Sequence, residues 1–475
     1  MLAPNSPAAQ PTMNAIKFAV AACVVVTLAI PGWAQMPPVA AAAPPLNQAE
    51  KRAVVEKAGE LLTANYIYPE RAAEAKAKLD AAFLAGEYES ITTPEALAKK
   101  LTSDLQSVIH DKHLNVVAPP APQPAAATAP TTPAPQRDYA GFRRVDRLKG
   151  NIGYIKLQGF PALAGPFSQT TTQAITDLAD TDALIIDMRD NRGGSFDSVI
   201  YLCSFFFDPK TPVHIDGDVT RKSGTNEFST KEYYTRPVPV SYLGKPVYLL
   251  TGKRTFSAGE KFLYDMQAQK RARLIGAVTE GGANGTAGHW LPSHFSIRIP
   301  YERTVNPITK TNWEGVGVTP DLAVDESLAF QTTMREIVAS KLTRYSALRA
   351  EVDSQSTEDG FVEAPLLKFR NQPQPGGEAA VRNLLSGIAS GKPDYAQMSD
   401  ELAQTIRDDL DFFHTDMSEF GEAKSVKFTG VGPGGLDDYE VRTATGTKRV
   451  AVYLGPDGKI AVANFYPTVP LPSKP

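Results

Sequence analysis

Three short stretches place chemistry-bearing residues beside turns that small residues permit. The first is DMRDNRGG (187–194), where the apolar run ALIIDM ends in two consecutive glycines, Gly193 and Gly194. Paired glycines at a strand-to-helix turn let the backbone approach a ligand closely. Their N–H groups then point out from a helix start, which suits the holding of an oxyanion. Alone, the pair is equally a structural tight turn. The second stretch is RTFSAGEKF (254–262), which follows the run KPVYLLTG. A serine at such a junction presents its hydroxyl above the sheet, with the Ala258 N–H beside it. Read alone, Ser257 is better explained as a helix cap, because Glu260 three residues on completes a capping box. The third is WEGVGVTPD (313–321), which sets a carboxylate, Glu314, on a glycine-rich turn. By itself this is only a turn signal.

Placing these residues together requires a sheet. From residue 150 onward the chain alternates short β-rich runs (151–157, 183–188, 245–250 and 272–278) with helical stretches near 164–180, 195–207 and 257–270. Such alternation predicts βαβ units and a largely parallel sheet, at whose carboxyl strand ends ligands bind. All three stretches are expected to fall at those ends. Residues 289–325 are expected to add a strand pair, HWLPSHFSIRIPYERTVNP with WEGVGVTPDLAV.

Upstream, 47–117 reads as a helical domain of three helices. Asn47 with Glu50 forms one capping box, Pro69 and Pro94 sit at first helical positions, and Thr93 caps the last. A Pro/Ala linker (118–137) separates it from a core over 138–345. A further linker (346–375) leads to a C-terminal α+β domain (376–475), with helices over 376–410 and then four strands split by glycine turns.

Bulk properties narrow the function. The chain has 475 residues, 42% of them apolar and 21% charged, with a net charge of −3. That is ample material for a core and no footprint for nucleic acid or an anionic membrane. Lys17, the 13-residue apolar run FAVAACVVVTLAI (18–30) and PGWAQ, with Gly32 and Ala34 before Gln35, predict a signal peptide over 1–34 and a Pro/Ala tether over 35–46. The run is short for a membrane span, although an uncleaved anchor is the other reading. Met13 is an alternative start. Removing the signal takes Cys23 and leaves Cys203 alone, so export without disulfides is expected.

In order, GNIGYIKLQGF, LIIDMRDNRGG, TFSAGEKF, RARLIGAVTEGG and GVGVTPD resemble the serine peptidase superfamily of C-terminal-processing proteases, the tricorn core protease and the interphotoreceptor retinoid-binding proteins. The likeness covers roughly 48–117 and 140–325, and the ordered combination carries it. It implies an α/β fold of crotonase/ClpP-like type, with Ser257 as nucleophile and oxyanion donors at Gly193 or Gly194 and at Ala258.

Two departures stand out. The lysine base of the processing proteases would fall at Gly282, in TEGGAN (279–284), and their peptide-binding PDZ domain is replaced by the Pro/Ala linker. The tricorn-like branch instead takes a histidine from the end of the N-terminal helical block, which maps to His113 in HDKHLNV, with Glu314 as its orienting carboxylate. Lys112 stands where that branch has a serine, and either it pairs with Glu314 as an ion pair or the relay is shortened. His289 and His294 are rival bases. Lys261 lies one helical turn beyond Ser257 but points along the helix, and His110 faces elsewhere. The HDKH spacing does not match a zinc site, so neither metal nor cofactor is expected.

Two readings follow. One is an exported serine endopeptidase acting on peptides or proteins, with an oligomer contact through the C-terminal domain. The other is a catalytically inactive binding protein of the retinoid-binding type, for apolar small molecules or peptides. Acyl-CoA chemistry of the crotonase type is weaker, because no CoA-binding signature accompanies the core.

Overall fold

The computed structural model describes residues 46–119, 139–339, 345, 348–355, 357–466 and 468–470. The signal and tether stretches, and almost all of the Pro/Ala linker, lie outside the described residues. Helices α1 (Gln48–Asn65), α2 (Pro69–Leu84) and α3 (Pro94–Ile109) begin as their caps predict. Asn47 and Glu50 exchange reciprocal 2.9 Å hydrogen bonds, and Thr93 Oγ1 accepts from Ala96 N–H. Strand β1 (Asn115–Val117) follows at once.

The next elements are β2 (Phe142–Leu148), β3 (Ile152–Leu157), α4 (Ser168–Asp177), β4 (Ala183–Asp187), α5 (Phe196–Ser204), β5 (His214–Arg221), β6 (Phe228–Tyr234), β7 (Val247–Thr251), α6 (Ala258–Ala268) and β8 (Arg273–Gly276). They continue into β9 (Asn284–Trp290), β10 (Ser296–Thr304), β11 (Leu322–Ala323), α7 (Ala329–Ala339), α8 (Arg349–Val352) and β12 (Val362–Pro365). The 7-stranded sheet has the order β11-β8-β7-β4-β3-β2-β12. Its strands β3, β4, β7, β8 and β11 pair in parallel, while β2 and β12 pair antiparallel at one side.

Every residue of β4 is buried, as a strand covered on both faces requires. Alternation sorts the side chains. Leu184, Ile186, Leu249 and Leu274 meet the helices α4, α5 and α6, while Ile185, Leu250 and Ile275 meet Phe330 and Met334 of α7.

A second, antiparallel sheet runs β1-β10-β5-β6, with β9 pairing β10. The helical block packs on it through Ile297 and Ile299. Pairing of Asn115 with Arg298 then fixes the chain just after α3 against this sheet. The expected strand pair over 289–325 differs in extent. The hairpin is β9–β10, starting at Asn284, and WEGVGVTPD stays a turn apart from the two-residue β11. Tandem glycines with φ of 73° and 77°, at Gly315 and Gly317, keep that stretch from extending. Residues 362–365, inside the segment expected as a linker, form β12 and pair with β2.

The C-terminal elements are α9 (Gly377–Ala389), α10 (Asp400–Asp408), α11 (Leu410–Phe420), β13 (Ser425–Val431), β14 (Asp437–Arg442), β15 (Gly446–Leu454), β16 (Ile460–Phe465) and β17 (Val469–Pro470). Strands β13 to β16 form an antiparallel meander with its own core of Val381, Leu385, Val441 and Val450.

Candidate active site

Ser257 occupies the junction between β7 and α6 with φ 54° and ψ −125°, a conformation that a residue with a side chain adopts only under constraint. The constraint is visible on both sides. Phe256 N–H donates to Asn191 O at 2.9 Å, and Ser257 N–H donates to Glu260 Oε2 at 3.0 Å. Glu260 is fully buried and does more than cap. Its carboxylate also accepts from Thr279 Oγ1, Gly281 N–H and Gly282 N–H, which ties the serine turn to the 279–282 loop.

The paired glycines lie against this turn. A Cβ on Gly193 would stand 2.8 Å from both Ser257 Cβ and Ala258 N, so only glycine allows the approach. The two glycines differ in what their N–H groups do. Gly193 N–H donates to Asn191 Oδ1 at 2.9 Å and is therefore occupied. The expectation that either glycine could serve narrows to Gly194. Its N–H, like that of Ala258 at the first position of α6, has no acceptor among the described residues. Asn191, fully buried, also donates to Leu157 O. It braces the GG turn and the serine turn together.

His113 shares a cleft of about 470 Å³ with Ser257, Gly194, Asn284, Tyr301 and Glu302. Its ring stacks on Phe256 with centroids 4.4 Å apart, and its side chain is 12% exposed. Neither ring nitrogen has a hydrogen-bond partner, so no serine–histidine hydrogen bond is formed. Glu314 lies near the histidine without a hydrogen bond to it. Together with Asp111, the two offer polar atoms within 4.8 Å of one another. Glu314 Oε2 accepts from Ala283 N–H (2.6 Å) and Asn284 N–H (3.2 Å), while Oε1 is buried and unpartnered.

Asp111 was missed from the sequence, although HDKH contains it. Its Oδ1 accepts from His113 N–H at 2.9 Å and lies 3.8 Å from His113 Nδ1, and its Oδ2 accepts from Asn284 Nδ2 at 2.8 Å. Lys112 departs from the expectation. It is exposed and its ammonium donates to the Glu280 carbonyl rather than pairing with Glu314, and the carboxylate beside the imidazole from this turn is that of Asp111. Adjacent residues at a turn point apart, and the buried side went to the aspartate.

Burial governs the charges. It lowers His113 to about 4, assisted by Arg298 and Arg192 and opposed by Glu280. Burial raises Glu314 to about 7, with Asp111 and Glu260 adding repulsion against the two backbone donors. Asp111 is raised by burial too. A carboxylate closing on the imidazole would lower Glu314 and raise His113, so the pair titrates as a unit.

The other candidates lie elsewhere. Lys261 is fully buried, paired with Asp216 and 3.9 Å from Asp218, and these carboxylates hold its ammonium charged. His289 is on β9 and His294 is exposed on the hairpin turn, and neither lines the cleft. His110 is exposed at the end of α3 with φ 57°. Gly282 explains the missing lysine. A Cβ there would stand 2.7 Å from His113 Cε1 and 2.3 Å from Phe256 Cε2, so any side chain at 282 must displace one or both rings. Sequence reasoning also passed over Glu302, whose carboxyl is pushed up to about 7 by burial and by Asp218.

A constrained serine thus opens a helix at a cleft of the mixed α/β core. Residues 151–324 match the model of peptidase family S41, and residues 46–141 match the model of the N-terminal domain of peptidase S41 in eukaryotic IRBP. A curated relative is carboxyl-terminal-processing peptidase 2, chloroplastic, from Arabidopsis thaliana, 28% identical over 187 residues. That alignment covers 37% of this chain and 32% of the relative, about a third of its length. Among solved structures, a putative peptidase from Parabacteroides merdae is 22% identical with a TM-score of 0.44, covering 58% of this chain and 90% of its own. The photosystem II D1 C-terminal processing protease is 12% identical with a TM-score of 0.39, covering 59% and 94%.

Proposed function

We propose that this chain is an exported serine endopeptidase. Ser257 attacks the scissile carbonyl, and His113 takes the proton and returns it to the leaving amine. Glu314 and Asp111 orient and charge-balance the imidazolium, and the Gly194 and Ala258 N–H groups hold the oxyanion. The supporting observation is that Ser257, in its constrained conformation at the start of α6, opens on the same cleft as His113. Serine–base contacts are often long without substrate and tighten in the complex, so the open contact is compatible with this role. The cleft lining, with Thr220, Lys231, Tyr301 and Glu302, suits a polar backbone better than an apolar small molecule. The apolar-ligand reading draws no support from it.

The test is incubation with a proteome-derived peptide library, with new termini identified by mass spectrometry. Internal cleavage by the wild type that disappears in Ser257→Ala and His113→Ala is expected. Equal cleavage by Ser257→Ala would end the proposal. Export rests on the N-terminal apolar run and the small residues before Gln35. Among the described residues, no helix is long and apolar enough to cross a membrane.

A further inference from the structure

Nδ1 and Nε2 of His113, which lines the cleft, and Oε1 of Glu314 are buried without a hydrogen-bond partner, and the two residues offer polar atoms within 4.8 Å of each other. Buried polar atoms are normally satisfied, so a cluster of them calls for a ligand. Asp111 completes the group from the other side, its ligand atom within 4.8 Å of the other two. Among the described residues, neither Asp111 nor Glu314 has a lysine or arginine partner within ion-pair distance.

The donor chemistry selects the ligand. One imidazole nitrogen and two carboxylate oxygens form a mixed N/O set of three, which fits a zinc ion with a fourth position open to the cleft. Magnesium and calcium prefer all-oxygen shells. Tetrahedral zinc with bonds of about 2.1 Å sets its ligand atoms about 3.4 Å apart. The Nδ1–Oδ1 separation of 3.8 Å already approaches that spacing. The supporting shell is also built. Asn284 Nδ2 and His113 N–H hold Asp111, and the Ala283 and Asn284 N–H groups hold Glu314 Oε2, while Oε1 has no partner.

We propose that Asp111, His113 Nδ1 and Glu314 Oε1 form an inhibitory zinc site that disarms the base. A neutral imidazole bound to the metal through Nδ1 carries its remaining proton on Nε2. That nitrogen then has no lone pair with which to take the Ser257 proton, so hydrolysis stops without the cleft being blocked. The binding stands on geometry alone. The inhibition rests on the reading of His113 as the base.

The test uses the full, untagged chain and zinc chloride alone. Calorimetry on Ser257→Ala, which keeps all three ligands, is expected to show one zinc per chain. Asp111→Asn and Glu314→Gln added to that background are expected to bind at least tenfold more weakly, with circular dichroism confirming that they are folded. No binding, or equal binding by the ligand variants, would overturn the site. In wild type, zinc is expected to suppress labelling of Ser257 by a fluorophosphonate and EDTA to restore it. Ligand-dependent zinc binding with unchanged labelling would overturn the inhibition and keep the site. A wild type that never labels would count against the peptidase reading, and the calorimetry would be untouched.

Discussion

Gly282→Ala tests whether the position of His113 limits the chemistry. The added Cβ would stand 2.3 Å from Phe256 Cε2, 2.6 Å from its Cζ and 2.7 Å from His113 Cε1. Ordinary contact begins near 3.4 Å, so Phe256 must retreat by about 1.1 Å and His113 by about 0.7 Å. The backbone at 282 cannot yield instead. Its N–H donates to Glu260 Oε2 at 2.8 Å, and its carbonyl accepts from Trp313 Nε1 at 2.9 Å. The Phe256 ring also carries the Arg192 guanidinium, 5.1 Å from its centroid, and the His113 ring, 4.4 Å away, so its displacement is passed on to the histidine. A misplacement of about 1 Å at a catalytic group costs on the order of 100-fold in rate. Overpacking costs about 1–3 kcal/mol of stability, which thermal unfolding will register separately. Steady-state peptide hydrolysis, measured well below the unfolding temperature, should therefore show kcat/KM down by about 100-fold. A value within threefold of wild type, with the fold intact, would refute the argument that glycine at 282 exists to admit His113.

Other outcomes follow from the same geometry. Because His113 lies near 4 and Glu314 near 7, the base is neutral throughout the neutral range while its carboxylate still titrates. Loss of Glu314 charge should set the acid limb, so kcat/KM should rise with pH up to about 7, and Glu314→Gln should remove that limb. A limb near 4 in both proteins would assign it to His113 instead. The raised Glu314 value stabilises the fold while the acid is protonated, below about 4.5, and this stability is lost as pH rises through 7. Glu314→Gln should accordingly unfold at a higher temperature than wild type above pH 7. Lys261→Met strands the buried Asp216 and should cost about 3–5 kcal/mol in denaturant titrations. The folded fraction should still label at Ser257, which a role for Lys261 as base forbids. Finally, Ser257→Gly relieves a positive φ and should exceed Ser257→Ala in stability by about 1 kcal/mol by thermal melt. Equal melting of the two would argue against strain at the turn.

The alternation of apolar runs and helical stretches announced β3, β4, β7 and β8 with α4 to α6, because a doubly covered parallel sheet needs continuous apolar strands. The caps at Asn47 and Thr93 were legible because a cap is a local bargain between neighbours. What escaped depends on segments distant in sequence. Asp111 meets Asn284 across 173 positions. Glu260 looked like half of a capping box, which it is, but its other bonds reach the 279–282 loop. Which N–H of a glycine pair stays free depended on Asn191, an unremarked residue two positions before. That Asp111 and not Lys112 faces the histidine depends on which side of a turn is inward, and no periodicity operates over so few residues.

The most direct measurement of the central claim is labelling by a fluorophosphonate probe, with the adduct mapped by peptide mass spectrometry. The reading of Ser257 and His113 as nucleophile and base predicts an adduct on Ser257 in wild type, none in Ser257→Ala, and greatly slowed labelling in His113→Ala. Equal labelling of all three proteins, or an adduct on another residue, would contradict it.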